Sequence, residues 1–171
     1  MIEVVVSRLG LDSTNQSYVV ILQEKGGQRL LPIWIGQAEA ESIMIQMHNL
    51  KRPRPLTHDL CKSIILGLGG QVQRVQITHV EKNTYYAELH IARDGDVVKL
   101  DARPSDSIAI ALRHSAPIFA DEALLTDVQV EEQGAEPFVT DSLRSEAELN
   151  AEQLKEYLER LRPEDFGKFN L

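Results

Sequence analysis

The sequence predicts an α+β fold: a compact single domain in which a largely antiparallel or mixed β-sheet is packed by helices, plus a C-terminal amphipathic helix. Three observations predict it. Strand-like stretches come in groups of three instead of alternating singly with helices, which argues against a doubly wound parallel sheet. Helical stretches with apolar residues at i, i+4 separate those groups. The 171 residues, 43% of them apolar, suffice for one core of ordinary size.

Each element follows in order. "IEVVVSRL" and "SYVVILQE" are rich in β-branched residues and read as strands. Gly26-Gly27 turns the chain, and "RLLPIWI" returns as a third strand. Pro32 has no N–H to give a ladder, so this strand is expected at an edge or distorted. After Gly36, "QAEAESIMIQMHN" places Ala40, Ile43, Met44 and Met47 at helical spacing. "LKRPRPL" connects, because its prolines cannot sit inside a helix. "THDLCKSIILGLGG" predicts a second helix with Thr57 as N-cap, Asp59 in the first turn, and Leu60, Ile64 and Leu68 as one apolar stripe. Cys61 and Ile65 flank that stripe, so Cys61 reads as a buried, inert thiol. Three more strands, "QVQRVQITHVE", "TYYAELHIAR" and "VVKLDA", turn at Lys82-Asn83 and Asp94-Gly95. The uneven spacing of Val72, Val75, Ile77 and Val80 predicts a bulge. A third helix, the short strand "APIFA" and the short helix "DEALLTDV" complete a domain over residues 1–130. Residues 131–145 read as a linker. Residues 146–171 read as an amphipathic helix and tail, with Leu154, Leu158 and Leu161 on one face.

Composition narrows the function. The net charge is −8, which argues against tight non-specific nucleic-acid binding; "KRPR" at Lys51–Arg54 is a local basic patch. No apolar run is long enough to span a membrane. The opening "MIEVVVSRLGLD" does not read as a signal peptide, and a lone cysteine predicts a reducing, cytoplasmic setting. Phosphate-binding glycine loops, CxxC pairs and nucleophile-elbow motifs are absent.

What remains is a pair of charged helix entrances. "DARPSDSIAIALR" (101–113) places Asp101, Arg103, Ser105 and Asp106 at the mouth of a helix that is apolar on every side. Pro104 suits its first turn, and Ser105 or Ser107 its cap. "RPLTHD" repeats the device with Arg54, Thr57, His58 and Asp59. An arginine beside a helix N-terminus favours an anion. Carboxylates nearby would let Mg²⁺ or Mn²⁺ bridge a phosphate. His58 is a candidate general base, although its neighbour Asp59 points about 100° away on the helix and serves a different partner. Glu39, near the start of the first helix, is the carboxylate there best placed to look inward. The competing reading is structural: Arg103 pairs with Asp101 or Asp59, and the aspartates merely cap.

"LPIWIGQAEAESI", "RPLTHDL", "DARPSDSIAIALR", "APIFA" and "RPEDFGKF" resemble, in order, the bifunctional nuclease family, over roughly residues 1–130 with a tail similar to short bacterial members. The resemblance implies an α+β domain and hydrolysis of phosphodiester bonds in RNA and DNA. It places Glu39, Arg54, Thr57, His58, Asp59, Asp101, Arg103, Ser105 and Asp106 on family-like blocks. The expected division is catalysis by Asp59, Asp101, Asp106 and His58, substrate binding by Arg54, Arg103, Ser105 and Thr57, and metal binding by Asp101, Asp106 and Glu39. Expected partners are nucleic acid, bound transiently, and further copies of the chain, as a dimer or higher homo-oligomer, with no membrane. The alternative is a non-catalytic domain that binds a small anionic ligand or a protein.

Overall fold

The computed structural model describes residues 1–12, 17–127 and, for the backbone, 135–137. Two antiparallel groups form one mixed sheet. The first comprises β1 (Ile2–Asp12), β2 (Ser17–Glu24) and β3 (Leu30–Ile35). The second comprises β4 (Gln71–Glu81), β5 (Thr84–Arg93) and β6 (Asp96–Ala102). The short β7 (Ile118–Ala120) joins them, antiparallel to β1 and parallel to β4. The order is β3-β2-β1-β7-β4-β5-β6, so β3 and β6 are the edges. Pro32 therefore lies on an edge strand, where a missing N–H costs least. The pairing of β4 with β5 shifts register twice, at the uneven valine spacing. Lys82 and Asn83 both take positive φ, as do Asp94 and Gly95, which matches the right-handed twist of two-residue hairpins.

Three helices of equal length complete the layer: α1 (Gln37–Met47), α2 (Thr57–Gly67) and α3 (Pro104–His114). α3 is central and contacts α1, α2, β4 and β5. Ile108, Ala109 and Ala111 are fully enclosed; the two alanines allow the neighbours to approach closely, and Ile108 fills the space. Burying one such isoleucine contributes about 1.5–3 kcal/mol.

Several local expectations are corrected. Leu56, not Thr57, is the N-cap of α2; Asp59, at the third helical position, accepts from the Leu56 N–H at 2.9 Å. Arg103 is the N-cap of α3, so Ser105 and Ser107 lie inside the helix. Only Glu122–Leu124 coil into a 3-10 turn where a short helix was expected. The stripe Leu60, Ile64 and Leu68 faces outward, each residue more than half exposed, and Cys61 is only partly buried. Within the expected linker, Ala135–Pro137 form β8, antiparallel to β1 at Gly10–Asp12. The expected C-terminal helix lies outside the described residues.

Candidate functional site

The local sequence gives each helix an acid at its third position: Glu39 on α1, Asp59 on α2 and Asp106 on α3. Carboxylates there complement the free N–H groups and the positive end of the dipole. The fold brings the three helix starts together, and an open cavity of about 580 Å³ lies among them. Glu39, Ser42, Thr57, His58, Arg103 and Asp106 contribute to its wall.

A chain of polar contacts runs along that wall. Ser42 Oγ lies 2.7 Å from His58 Nδ1. His58 Nε2 lies 3.1 Å from Asp106 Oδ1. An ionised carboxylate only accepts, so Nε2 carries the hydrogen toward Asp106. In the neutral imidazole Nδ1 is then the acceptor, and the Ser42 hydroxyl donates to it. Arg103 closes the chain: its Nε donates to Asp106 Oδ2 at 2.7 Å, and its Nη1 lies 3.0 Å from Glu39 Oε1. Burial alone would raise Asp106, but the Arg103 guanidinium and the His58 ring outweigh it and hold the carboxyl below its usual range. Asp106, with Glu39 beside it, fixes the positive charge on Arg103 more firmly still. The Arg103 side chain nevertheless remains 65% exposed at the cavity mouth.

The nine expected site residues fall into three groups. Glu39, Thr57, His58, Arg103 and Asp106 share the cavity wall. Ser105 turns into an adjoining cleft, with Arg103 between the two hollows. Asp59, Arg54 and Asp101 lie elsewhere. Asp59 accepts from Arg113 Nε at 2.6 Å and shares a separate hollow with Arg52 and Arg54. Burial opposes ionisation of Asp59, but the Leu56 N–H and Arg113 prevail and lower its pKa. Asp101 is exposed on the edge strand β6, opposite Glu88. Its side chain belongs to a strand that passes by the helix entrance, which is why adjacency in sequence misplaces it. Arg103 pairs with Asp106 and Glu39, not with Asp101 or Asp59.

The expected metal trio of Asp101, Asp106 and Glu39 is thereby corrected as a ligand set. Glu39 and Asp106 both engage Arg103, and among the described residues no group of three or more His, Cys, Asp or Glu is arranged to hold an ion.

Two contributors escape a reading of motifs. Ser42 follows Glu39 by three positions, so the two share a helix face; that spacing is the signal that could have found it. Arg113 ends the "DARPSDSIAIALR" block yet is almost fully buried, donating to Asp59, to the Ser42 carbonyl at 3.2 Å and to the Ala109 carbonyl at 2.9 Å. It ties the backbone of α1 to the first turn of α2 from α3.

The domain is thus a mixed sheet carrying three helices whose N-termini border a hydrogen-bonded Ser–His–Asp–Arg chain. Comparison with known proteins gives the family. Residues 20–133 match the bifunctional nuclease domain, and the chain belongs to that family. An uncharacterized protein of Mycobacterium tuberculosis is 38% identical over 169 residues, covering 96% of this chain and 97% of that protein. Bifunctional nuclease 1 of Oryza sativa subsp. japonica is 32% identical over 110 residues, 63% of this chain and 33% of its own length. Bifunctional nuclease 2 of Arabidopsis thaliana is 34% identical over 105 residues, 60% of this chain and 32% of its own. The chain thus spans about a third of the plant relatives it matches. No helix among the described residues is long and apolar enough to cross a membrane.

Proposed function

We propose that the cavity hydrolyses phosphodiester bonds of RNA or DNA, with His58 as the proton-transfer group. The observation that carries this reading is the hydrogen-bonded chain Ser42–His58–Asp106–Arg103 along one open wall. Membership of a family whose plant relatives are named bifunctional nucleases supports it. Arg103, exposed and doubly anchored, offers N–H groups to a phosphate oxygen and to the charge that develops on it. Water forms the new bond to phosphorus while the ester P–O bond breaks. The water proton passes to Ser42 as the Ser42 proton moves to His58 Nδ1, and Asp106 stabilises the resulting imidazolium. The leaving alkoxide takes a proton from solvent. Glu39 holds Arg103 in place, and Thr57 adds a hydroxyl to the wall.

The test is cleavage of single- and double-stranded RNA and DNA, each with Mg²⁺, Mn²⁺ or chelator. The account expects turnover by the parent and a loss of about 10²–10⁴-fold in His58→Ala with the far-UV spectrum retained. No turnover on any substrate, or equal turnover by His58→Ala, overturns it. A second reading, binding of a small anionic ligand without bond breakage, is favoured by one observation: Arg103 is 65% exposed at the cavity mouth and keeps N–H groups beyond those given to Asp106 and Glu39. Calorimetry with phosphorylated metabolites and no cleavage in any arm would select that reading.

A further inference from the structure

The cleft on the other side of Arg103 is not used by the hydrolytic chain. Its volume is about 390 Å³, and it shares Arg103 and Glu39 with the first cavity. Trp34, on the edge strand β3, forms one side and is 55% exposed. Tyr85, at the start of β5, lines the same cleft. The Trp34 indole N–H reaches Asp12 Oδ2 at 3.4 Å, which orients the ring. Asn83, in the β4–β5 turn, brings an amide with both donor and acceptor character. A large aromatic left open to solvent is costly to keep unless it meets a flat apolar partner.

We propose that this cleft is a nucleobase subsite, in which an unpaired base stacks on Trp34 while the adjoining phosphate lies on Arg103. A base in a duplex already has both faces covered, so the subsite selects single-stranded or unpaired nucleotides. Stacking tolerates any base, because each has a π-face. It also needs no extended basic track, which agrees with a net charge of −8. The inference deepens the phosphodiester reading and rests on it for the placement of the phosphate.

Trp34 is the single tryptophan of the chain, so its fluorescence reports the cleft directly. Titration with nucleoside monophosphates, ribose 5-phosphate, inorganic phosphate, a single-stranded oligonucleotide and the same oligonucleotide in a duplex separates the ligand sources. Saturable quenching by the monophosphates and the single strand, with little by ribose 5-phosphate, phosphate or duplex, is expected. By calorimetry, Trp34→Ala should weaken nucleotide binding roughly five- to hundredfold, and Trp34→Phe should restore most of it. Equal quenching by ribose 5-phosphate, or equal affinity of Trp34→Ala, overturns the subsite. The monophosphates contain no diester, so the titration needs no turnover. Quenching without cleavage keeps the subsite and removes the nuclease; cleavage without base-dependent quenching does the reverse.

A separate observation carries a second inference. Among the described residues β6 is a sheet edge with no strand on its outer side; its seven residues include no proline or bulge, and none of them is buried. Neither Lys99 nor Asp101 forms an ion pair among the described residues. Val98 pairs across the sheet with Ile91, which lies against the end of α2 at Gly70; Val98 and Leu100 therefore face the side that carries the α2 stripe Leu60, Ile64 and Leu68. We infer that β6 pairs antiparallel with β6 of a second copy about a two-fold axis at Leu100. That register sets Leu100 against Leu100 and Val98 against Ala102. It also sets Lys99 against Asp101 twice on the opposite face. An unpaired edge is a template for such pairing, and cross-strand opposite charges fix its register.

Light scattering on the full chain should give a dimer. Leu100→Lys should give a monomer, Lys99→Asp should weaken the dimer about tenfold, and adding Asp101→Lys to it should restore the parent affinity. A monomeric parent, or a dimer indifferent to Leu100→Lys, overturns the pairing.

Discussion

At the scale of the residue, the decisive fact is what His58 touches. Its Nδ1 faces a hydroxyl that can donate, and its Nε2 faces a carboxylate that can only accept, so one neutral tautomer is selected. Ser42→Ala removes the connection of the ring to the cavity without touching Asp106 or Arg103. Cleavage by Ser42→Ala should fall about a hundredfold, and melting should show a loss near 1 kcal/mol for the missing hydrogen bond. A different histidine links stability to pH below neutrality. His114, at the end of α3, has its Nε2 buried with no hydrogen-bond partner among the described residues; burial, with Lys62 nearby, lowers its pKa. Its folded pKa lies below the ordinary value of about 6.5, so between the two the unfolded chain binds the extra proton. The stability His114 contributes is therefore complete above about pH 6.5 and is lost as pH falls toward its folded pKa. Chemical denaturation from pH 7.5 down to 5 should show this decline, and His114→Asn should flatten it. Asp59 and Asp106 have lowered pKa values, so their contribution persists through that range and is lost only below the ordinary aspartate range.

At the scale of the element, Arg113, in the last turn of α3, ties the middle of α1 to the first turn of α2. Its side chain is 1% exposed, whereas that of its partner Asp59 is 36% exposed. Removing the carboxylate leaves a guanidinium charge in the core. Asp59→Asn should cost about 3 kcal/mol in denaturant unfolding, the lower end for a broken buried pair because Asp59 is partly solvated. The elements themselves were legible. Strand boundaries, the edge position of Pro32, the bulged β4 and the two positive-φ turns follow from β-branched runs, proline chemistry and Asn/Gly turn preference. Whether an apolar stripe faces the core was not legible: Leu60, Ile64 and Leu68 have the period of a core face, yet α2 docks through its other side. The candidate site was half legible for a related reason. Glu39, Thr57, His58, Arg103 and Asp106 sit at helix starts that converge; Asp101 sits one strand too early and Arg54 in a connector that leads away. Local spacing reports what lies on a helix, and only the packing of helix against helix reports what faces what.

At the scale of the whole molecule, the sheet serves as a rigid floor that gathers three helix N-termini at one end of the helical layer. Two hollows then share one arginine, a division suited to a phosphate on one side and a base on the other. The net charge of −8 limits retention of long polyanions, which favours brief encounters over tight, salt-sensitive binding. In the function proposed, the wall running from Ser42 to Arg103 performs the hydrolysis. Asp106→Asn tests it most directly, since the amide keeps the shape of the carboxylate but can also donate and no longer fixes the tautomer of His58. The measurement is the single-stranded oligonucleotide cleavage rate of this variant beside the parent. The account predicts a fall of at least about a hundredfold with the helical spectrum intact; cleavage at the parental rate would contradict it.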